Sequence, residues 1–151
     1  MNDAGVRPFS IRALLEDRAR YLVPMYQRNY AWGEGEITQL LQDVLDYQQK
    51  LVSGKGPQTY YIGTLVVFAR DDGSFEVIDG QQRFTTLSLL ANWLKHHAID
   101  SVDMSWYQTI NLAFESRPIS SHTFERLWQG VAPYDLRGST FNEGLVNGFK
   151  L

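Results

Sequence analysis

The residues best suited to chemistry are five consecutive ones, Asp79-Gly80-Gln81-Gln82-Arg83. They follow an apolar run and precede a helical pattern, so a strand end, a tight turn and a helix N-terminus meet there. The first helical turn has N–H groups without intrahelical partners and the positive end of the helix dipole. Gly80 lets a ligand approach the backbone, and Arg83 adds a guanidinium on the same turn. The pattern predicts a site for phosphate oxygens.

Two roles are open to Asp79 in this turn. Its carboxylate caps the helix, or it holds a Mg²⁺ ion together with phosphate oxygens. The alternative for the whole turn is structural: Asp79 only caps, Gly80 only makes the turn, and Arg83 forms a salt bridge with a neighbouring acid.

The second candidate is the aromatic block, Pro24-Met25-Tyr26-Gln27-Arg28-Asn29-Tyr30-Ala31-Trp32. Its three rings alternate with two amides and one arginine. Aromatic faces stack on nucleobases, amides read base edges and arginine holds phosphate, so the block suits a nucleotide or a single-stranded end. Packing of the rings in the protein core is the alternative.

Hydrophobic patterning predicts the elements before the turn. Ser10 is positioned to cap a short helix that begins at Ile11, and residues 21–25 form a short strand that Pro24 stops or places at an edge. Apolar residues at helical spacing predict an amphipathic helix over 37–52. Residues 60–69 are apolar at nearly every position, which predicts a strand covered on both faces near the centre of the sheet.

The remaining elements follow from turn residues and helical periodicity. Asp71-Asp72-Gly73 predicts a turn, and 74–78 returns as the second strand of a hairpin. A helix follows from Gln81, and two more helices are expected over 104–115 and 121–129. Together these elements predict an α+β fold with a small mixed sheet.

Composition limits the function classes. The chain has 151 residues, 14 Lys and Arg against 17 Asp and Glu, and a net charge of −3, so we expect any phosphate site to be local. The absence of cysteine excludes disulfides, thiolate metal sites and thiol redox chemistry, and agrees with a cytoplasmic location. The sequence offers no membrane segment. The loop around Gly54 and Lys55 lacks the spacing of a Walker A motif.

The three histidines do not form a metal site by their spacing. His96 and His97 are adjacent and diverge by about 100° on a helix, and His122 is distant in sequence. No HExxH or His-Asn-His arrangement is present, so we expect no DNA cleavage by this chain alone.

Four blocks of the sequence resemble the N-terminal domain of GmrSD-type modification-dependent restriction endonucleases. The order and spacing of the blocks match over about residues 9–95, and the Asp-Gly-Gln-Gln-Arg element is the most specific of them. A later block, Phe114-Glu115-Ser116-Arg117, is similar more weakly. The four blocks are Leu22-Val23-Pro24-Met25-Tyr26-Gln27-Arg28-Asn29-Tyr30-Ala31-Trp32, Leu40-Leu41-Gln42-Asp43-Val44, Tyr61-Ile62-Gly63-Thr64-Leu65 and Val77-Ile78-Asp79-Gly80-Gln81-Gln82-Arg83-Phe84-Thr85-Thr86-Leu87.

The resemblance implies a ParB/sulfiredoxin-like fold whose strand, turn and helix bind nucleotide phosphates. It implies a ParB-like nucleotide-binding domain over 1–100 and a helical extension of the same domain over 101–151, truncated relative to full-length members. The implied cofactors are Mg²⁺ and a nucleoside triphosphate. The implied partners are DNA, in modified form, and an HNH-type nuclease domain or subunit.

The resemblance also assigns roles to individual residues. Gly80 and Arg83 would contact phosphate, and Gln81 would belong to the nucleotide-binding residues, while Asp79 and Gln82 would orient metal or water. Gln27 and Arg28 complete the pocket. As a catalytic set, Asp79, Gln82 and Arg83 would support hydrolysis of the triphosphate.

Two functions remain open from the sequence. The first is a sensor that binds a nucleoside triphosphate, with or without hydrolysis, in a restriction or phage-defence system. The second is a non-catalytic module that binds modified DNA with the same pocket.

The two candidate segments must meet in space if they share one site. This requires the strand near Met25 to lie beside the strand that ends at Ile78, with both strand ends at one edge of the sheet. Arg28 and Arg83 would then converge on a common pocket, where an anion or a carboxylate such as Asp43 or Asp79 offsets their repulsion.

Overall fold

The fold is built on a mixed sheet whose strands end beside the candidate turn. The computed structural model describes residues 5–27, 30–54, 59–98, 100–115, 117–131 and 145. Within these residues, four helices and four strands form an α+β fold. In chain order they are α1 (Ile11–Glu16), β1 (Tyr21–Val23), α2 (Glu34–Val52), β2 (Val66–Ala69), β3 (Phe75–Asp79), α3 (Gln81–His97), β4 (Leu112–Phe114) and α4 (Pro118–Trp128).

The sheet has the strand order β2-β3-β1-β4. β2 and β3 form the antiparallel hairpin expected from the sequence, and β1 runs parallel to both β3 and β4. Tyr21 lies opposite Phe75 in the β1–β3 pair. The prediction that the first strand lies beside the strand preceding the turn is therefore confirmed, and both strands end at the same edge.

Local chemistry explains where the elements begin and end. Ser10 accepts a hydrogen bond from the Ala13 amide at 3.0 Å, which confirms the predicted cap of α1. The hairpin turn is closed by Asp72, whose carboxylate accepts bonds from the Ser74 hydroxyl at 2.6 Å and the Ser74 amide at 2.9 Å. These bonds lower the pKa of Asp72.

The core lies between α3, α4 and one face of the sheet. Tyr21 stacks on Phe75 with ring centroids 5.3 Å apart and contacts Phe84 of α3 at 5.2 Å. Val77 and Leu127 are fully buried beside them. Inward-facing residues thus alternate along β1 and β3, as expected for strands with one covered face.

The prediction for residues 60–69 is wrong in two respects. Only Val66–Ala69 is a strand, and within the described residues it pairs with β3 alone, at the edge of the sheet. Gly63 has a φ of 147° that departs from strand geometry, and Phe68 is 56% exposed. An apolar run of this kind does not distinguish a central strand from an extended segment that packs against a turn.

The predicted helix over 104–115 is also wrong. Residues 112–114 form β4, whose side chains alternate between buried and half-buried positions. Parallel pairing with β1 takes up its backbone hydrogen bonds, and the Asn111 amide donates to the carbonyls of Leu14 and Asp17. Tertiary pairing has overridden a weak local preference here. The predicted helix over 121–129 exists as α4, with Pro118 at its first turn.

None of the helices in the described ranges is long and apolar enough to cross a membrane.

Candidate functional site

The predicted strand-turn-helix is present. β3 ends at Asp79, Gly80 is the N-cap residue of α3 with a φ of 94°, and no side chain caps the helix. A Cβ on Gly80 would lie 2.9 Å from the Thr64 carbonyl oxygen, so the close approach of the two segments requires glycine. The first turn of α3 therefore keeps the features that favour an anion.

Asp79 does not have the structural role that the alternative reading gave it. It is exposed at the end of β3, and it contributes no cap to α3. Its carboxylate is accessible from solvent beside the turn. The position and exposure of Asp79 would allow its carboxylate to bind a metal ion that also binds phosphate.

Arg83 is half-buried, and its guanidinium is held by packing against the backbone of a neighbouring segment. A Cβ on Gly63 would lie 2.3 Å from Nη1 of Arg83 and 2.6 Å from its Cζ, so the guanidinium packs directly against the Gly63 backbone. Among the ion pairs of the described residues, none includes Arg83. The salt-bridge alternative for Arg83 therefore has no support in this part of the chain.

A cleft of about 480 Å³ opens beside Arg83. Its walls come from the N-terminal half of α2, the extended segment before β2 and the aromatic block. The lining residues are Trp32, Gly35, Glu36, Gln39, Leu40, Asp43, Tyr60, Ile62 and Arg83. Arginine, two acids and two aromatic rings thus share one concave surface.

Gln27 joins the aromatic block to the turn. Its Nε2 donates to the Ile78 carbonyl at 2.9 Å, and its Oε1 accepts from Nε2 of Gln81 at 3.1 Å. Two segments separated by more than fifty residues therefore meet, as the two-walled site requires. Arg28 lies outside the described residues, and its convergence with Arg83 stays a prediction.

Gln82 is oriented toward the protein. It is buried, and its Oε1 accepts a hydrogen bond from the Ala31 amide at 2.7 Å. Tyr30 is anchored beside it by a 2.8 Å bond to the Thr86 hydroxyl, and burial raises the pKa of Tyr30. These contacts fix the aromatic block against α3, and Gln82 holds this loop in place beside the turn.

The three rings of the aromatic block have different environments. Tyr30 packs in the core, which matches the structural alternative for that residue. Trp32 is half-buried and lines the cleft. Tyr26 is 67% exposed and donates to Glu76 at 3.2 Å. Only Trp32 is therefore placed to contact a ligand in the cleft.

Sequence reasoning gave no role to Arg117 or Arg70. Arg117 donates to the carbonyls of Met25 and Gln27, which fixes the backbone that carries the Gln27 amide. Arg70 pairs with Glu115 at 2.6 Å, and this bond lowers the pKa of Glu115. The available signal was the weaker block at 114–117, which contains both Glu115 and Arg117.

His96 and His97 take part in packing. Nε2 of His96 lies 2.8 Å from the Trp128 carbonyl, and the His97 ring stacks on Trp93 with centroids 5.1 Å apart. No group of three or more His, Cys, Asp or Glu side chains gathers around a common point in the described ranges.

The comparisons with known proteins identify the family. No curated protein matches the chain. The family model described as the GmrSD restriction endonuclease, N-terminal domain, matches residues 11–146, which include the turn, Gln27, the cleft and the block at 114–117. The chain thus belongs to this family and is the N-terminal domain of a restriction endonuclease.

Proposed function

We propose that this domain binds a nucleoside triphosphate with Mg²⁺ at the turn formed by residues 79–83. Nucleotide occupancy would govern an HNH-type nuclease part that acts on modified DNA. The observation that carries the proposal is Arg83: its guanidinium is packed against Gly63 at the first turn of an uncapped helix and has no acid partner in the described residues. A fixed cation of this kind suits phosphate oxygens.

The donor set of the turn suits Mg²⁺ rather than a metal held by protein alone. Mg²⁺ is commonly held by one or two carboxylates together with substrate phosphates and water. Asp79 offers one exposed carboxylate beside the helix N-terminus. The bound Mg²⁺ would neutralise phosphate charge, and Arg83 and the helix dipole would stabilise the remainder.

Hydrolysis by this site would depend on positioning and electrostatics. Charge that develops on the transferred phosphoryl group would be met by Arg83 and the N–H groups of the first turn of α3. Asp79 is the group available to orient a water molecule. Gln82 would contribute indirectly, because its amide oxygen is already bonded to Ala31.

Direct binding of duplex DNA by this pocket has less support. The net charge is −3, and the cleft beside Arg83 contains Glu36 and Asp43, which repel a phosphate backbone. Modified DNA is therefore proposed as the substrate of the complete system and a free nucleotide as the ligand of this domain.

Calorimetric titration with ATP, GTP, CTP and UTP in Mg²⁺ buffer tests the proposal. Arg83→Ala should weaken binding of the tightest nucleotide by roughly 10- to 100-fold, because a charge-assisted contact is lost. Arg126→Ala is the control, since Arg126 is an exposed helical arginine that donates a hydrogen bond to nearby Gln129 at 3.1 Å. Phosphate release measured in parallel separates binding from hydrolysis.

The decisive comparison is between nucleotide and DNA. Short duplexes with and without modified cytosine, titrated into the same protein, should bind far more weakly than the nucleotide. Equal nucleotide affinity in folded Arg83→Ala and in the parent protein would remove the phosphate role. Tight binding of modified duplex that is lost in Arg83→Ala would instead establish the DNA-binding alternative.

A further inference from the structure

The cleft beside Arg83 has two chemically different sides. On α2, Glu36, Gln39 and Asp43 follow one another at spacings of three and four, so they share one helix face. The rings and apolar carbon of the lining outside α2 come from Trp32, Tyr60 and Ile62. The cleft is open to solvent, and its volume of about 480 Å³ leaves room for part of a small molecule. A ligand in this cleft would meet polar oxygens on one side and rings and apolar carbon on the other.

The aromatic part of the lining is held in place. Tyr60 stacks on Tyr47 of α2 with ring centroids 5.2 Å apart and an interplanar angle of 27°. Trp32 follows directly after Ala31, whose backbone is bonded to Gln82. Fixed rings that face a cleft offer a stacking surface for a planar base.

The acidic part of the lining decides which part of a nucleotide can enter. Two carboxylates in one cleft disfavour phosphate by repulsion. Oδ1 of Asp43 accepts from Nε2 of Gln39 at 2.7 Å, which orients the carboxylate. Oδ2 of Asp43 has no partner among the described residues and can accept a hydrogen bond from a hydroxyl. The carboxylates therefore suit the neutral, hydroxyl-bearing part of a nucleotide.

We infer that this cleft binds the nucleoside part of a ribonucleotide, with Asp43 as an acceptor for a ribose hydroxyl. The inference rests on the proposed function and extends it. The base lies against the Trp32 and Tyr60 side, and Arg83 belongs to both the cleft and the turn, where it meets the phosphates. The α2 acids repel the phosphates and the turn attracts them, so the ligand binds with its phosphates at the turn and its nucleoside in the cleft. Asp43 is then a specificity residue that discriminates ribose from deoxyribose.

The experiment compares each ribonucleoside triphosphate with its 2′-deoxy counterpart and with tripolyphosphate, in Mg²⁺ buffer, by calorimetry. The tightest ribonucleotide should bind the parent protein at least about 10-fold more tightly than its deoxy form, since a hydrogen bond to a charged group is worth roughly that factor. Asp43→Ala should reduce this ratio to less than about threefold. The same variant should bind tripolyphosphate no more weakly than the parent does.

Asp46→Ala is the matched control. Asp46 lies on the same helix, is exposed, and accepts from Gln42 four residues earlier at 2.8 Å, so it reproduces the local hydrogen bond of Asp43 without lining the cleft. Asp46→Ala should keep the ribose preference of the parent. Alanine is a good helix former, and circular dichroism should show that both variants fold.

The outcomes separate this inference from the proposed function. Equal binding of ribo and deoxy forms, or a ratio unchanged in Asp43→Ala, would overturn the role of Asp43. Tripolyphosphate that binds as tightly as every nucleotide would overturn the nucleoside cleft and leave the phosphate turn standing. No binding of any nucleotide or of tripolyphosphate would overturn both.

Discussion

Helices α2 and α3 both border the candidate site, yet they are packed very differently. Nine of the 17 residues of α3 are buried, including Phe84, whereas Ile37 is the one buried residue among the 19 of α2. The apolar spacing of α2 is the more regular of the two. Leu45 on that apolar stripe is 52% exposed. Regular apolar spacing therefore indicates the face a helix would bury and does not indicate how much of it is covered.

The sequence of α3 is only weakly amphipathic, although more than half of its residues are buried. Polar side chains on the buried face explain this difference. Thr85 and Thr86 return hydrogen bonds to the carbonyls of Gln81 and Gln82 within the helix. The two threonines can thus occupy a core face because their hydrogen bonds are local. Ser88 and Asn92 are also fully buried, and their side-chain polar atoms have no hydrogen-bond partner among the described residues. The short turn at Gly80 leads α3 directly from β3 into the core.

The largest effect should come from the core of α3. Phe84→Ala removes a ring that is 2% exposed and contacts Tyr21, so it should lower the free energy of unfolding by about 3 to 5 kcal/mol. Leu45→Ala on α2 is the counterpart and should cost less than about 1 kcal/mol. Urea unfolding followed by circular dichroism measures both. Similar costs for the two variants would mean that the α2 face is as well covered as the core.

A smaller effect should come from the turn that begins α3. Gly80→Ala places a side chain at a φ of 94° and within 2.9 Å of the Thr64 carbonyl, so it should destabilise the fold by about 2 to 4 kcal/mol. Gly73→Ala is the control, because Gly73 has a φ of 86° and no atom within 4 Å of its Cβ position. Its cost should be about 1 to 2 kcal/mol from backbone conformation alone.

Thermal and urea unfolding of the two glycine variants give the comparison. The difference between them reports the close contact between the turn and the segment before β2. If Gly80→Ala costs no more than Gly73→Ala, that contact is loose in solution, and Thr64 does not hold the turn.

The fold could be predicted from sequence where the signal is local. Ser10 caps α1, the turn at 71–73 closes the hairpin, and the 37–52 pattern corresponds to α2, which begins three residues earlier at Glu34. The errors concern long-range pairing. β4 is recognisable only through its partner β1, and the edge position of β2 depends on which strands join the sheet. Hydrophobic periodicity does not show which strand β4 or β2 pairs with.

The turn of the candidate site could be predicted from the sequence. The contacts made by the residues around the turn were much harder to predict. Chemical type and spacing predicted the strand, turn and helix around Gly80 and Arg83, whose binding roles stay predictions. Gln27 lies where the two-walled arrangement requires. The inward orientation of Gln82 and the support from Arg117 depend on contacts across more than fifty residues. On α2 the sequence pointed only to Asp43, as a carboxylate that offsets the repulsion between Arg28 and Arg83. It gave no role to Glu36 or Gln39, because helical periodicity does not show which polar residues border a cleft.

The smallest effect, and one of opposite sign, should come from the first turn of α2. Gly35 has no atom within 4 Å of its Cβ position, and it does not need the left-handed conformation that Gly80 has. Gly35→Ala should raise the free energy of unfolding by about 0.5 to 1 kcal/mol, because alanine lowers the conformational entropy of the unfolded chain. Urea unfolding measures the gain, and a loss of stability would show that this end of α2 is covered in solution. The same substitution adds a methyl group to the cleft lining, so its effect on nucleotide affinity reports how closely a bound nucleoside approaches α2.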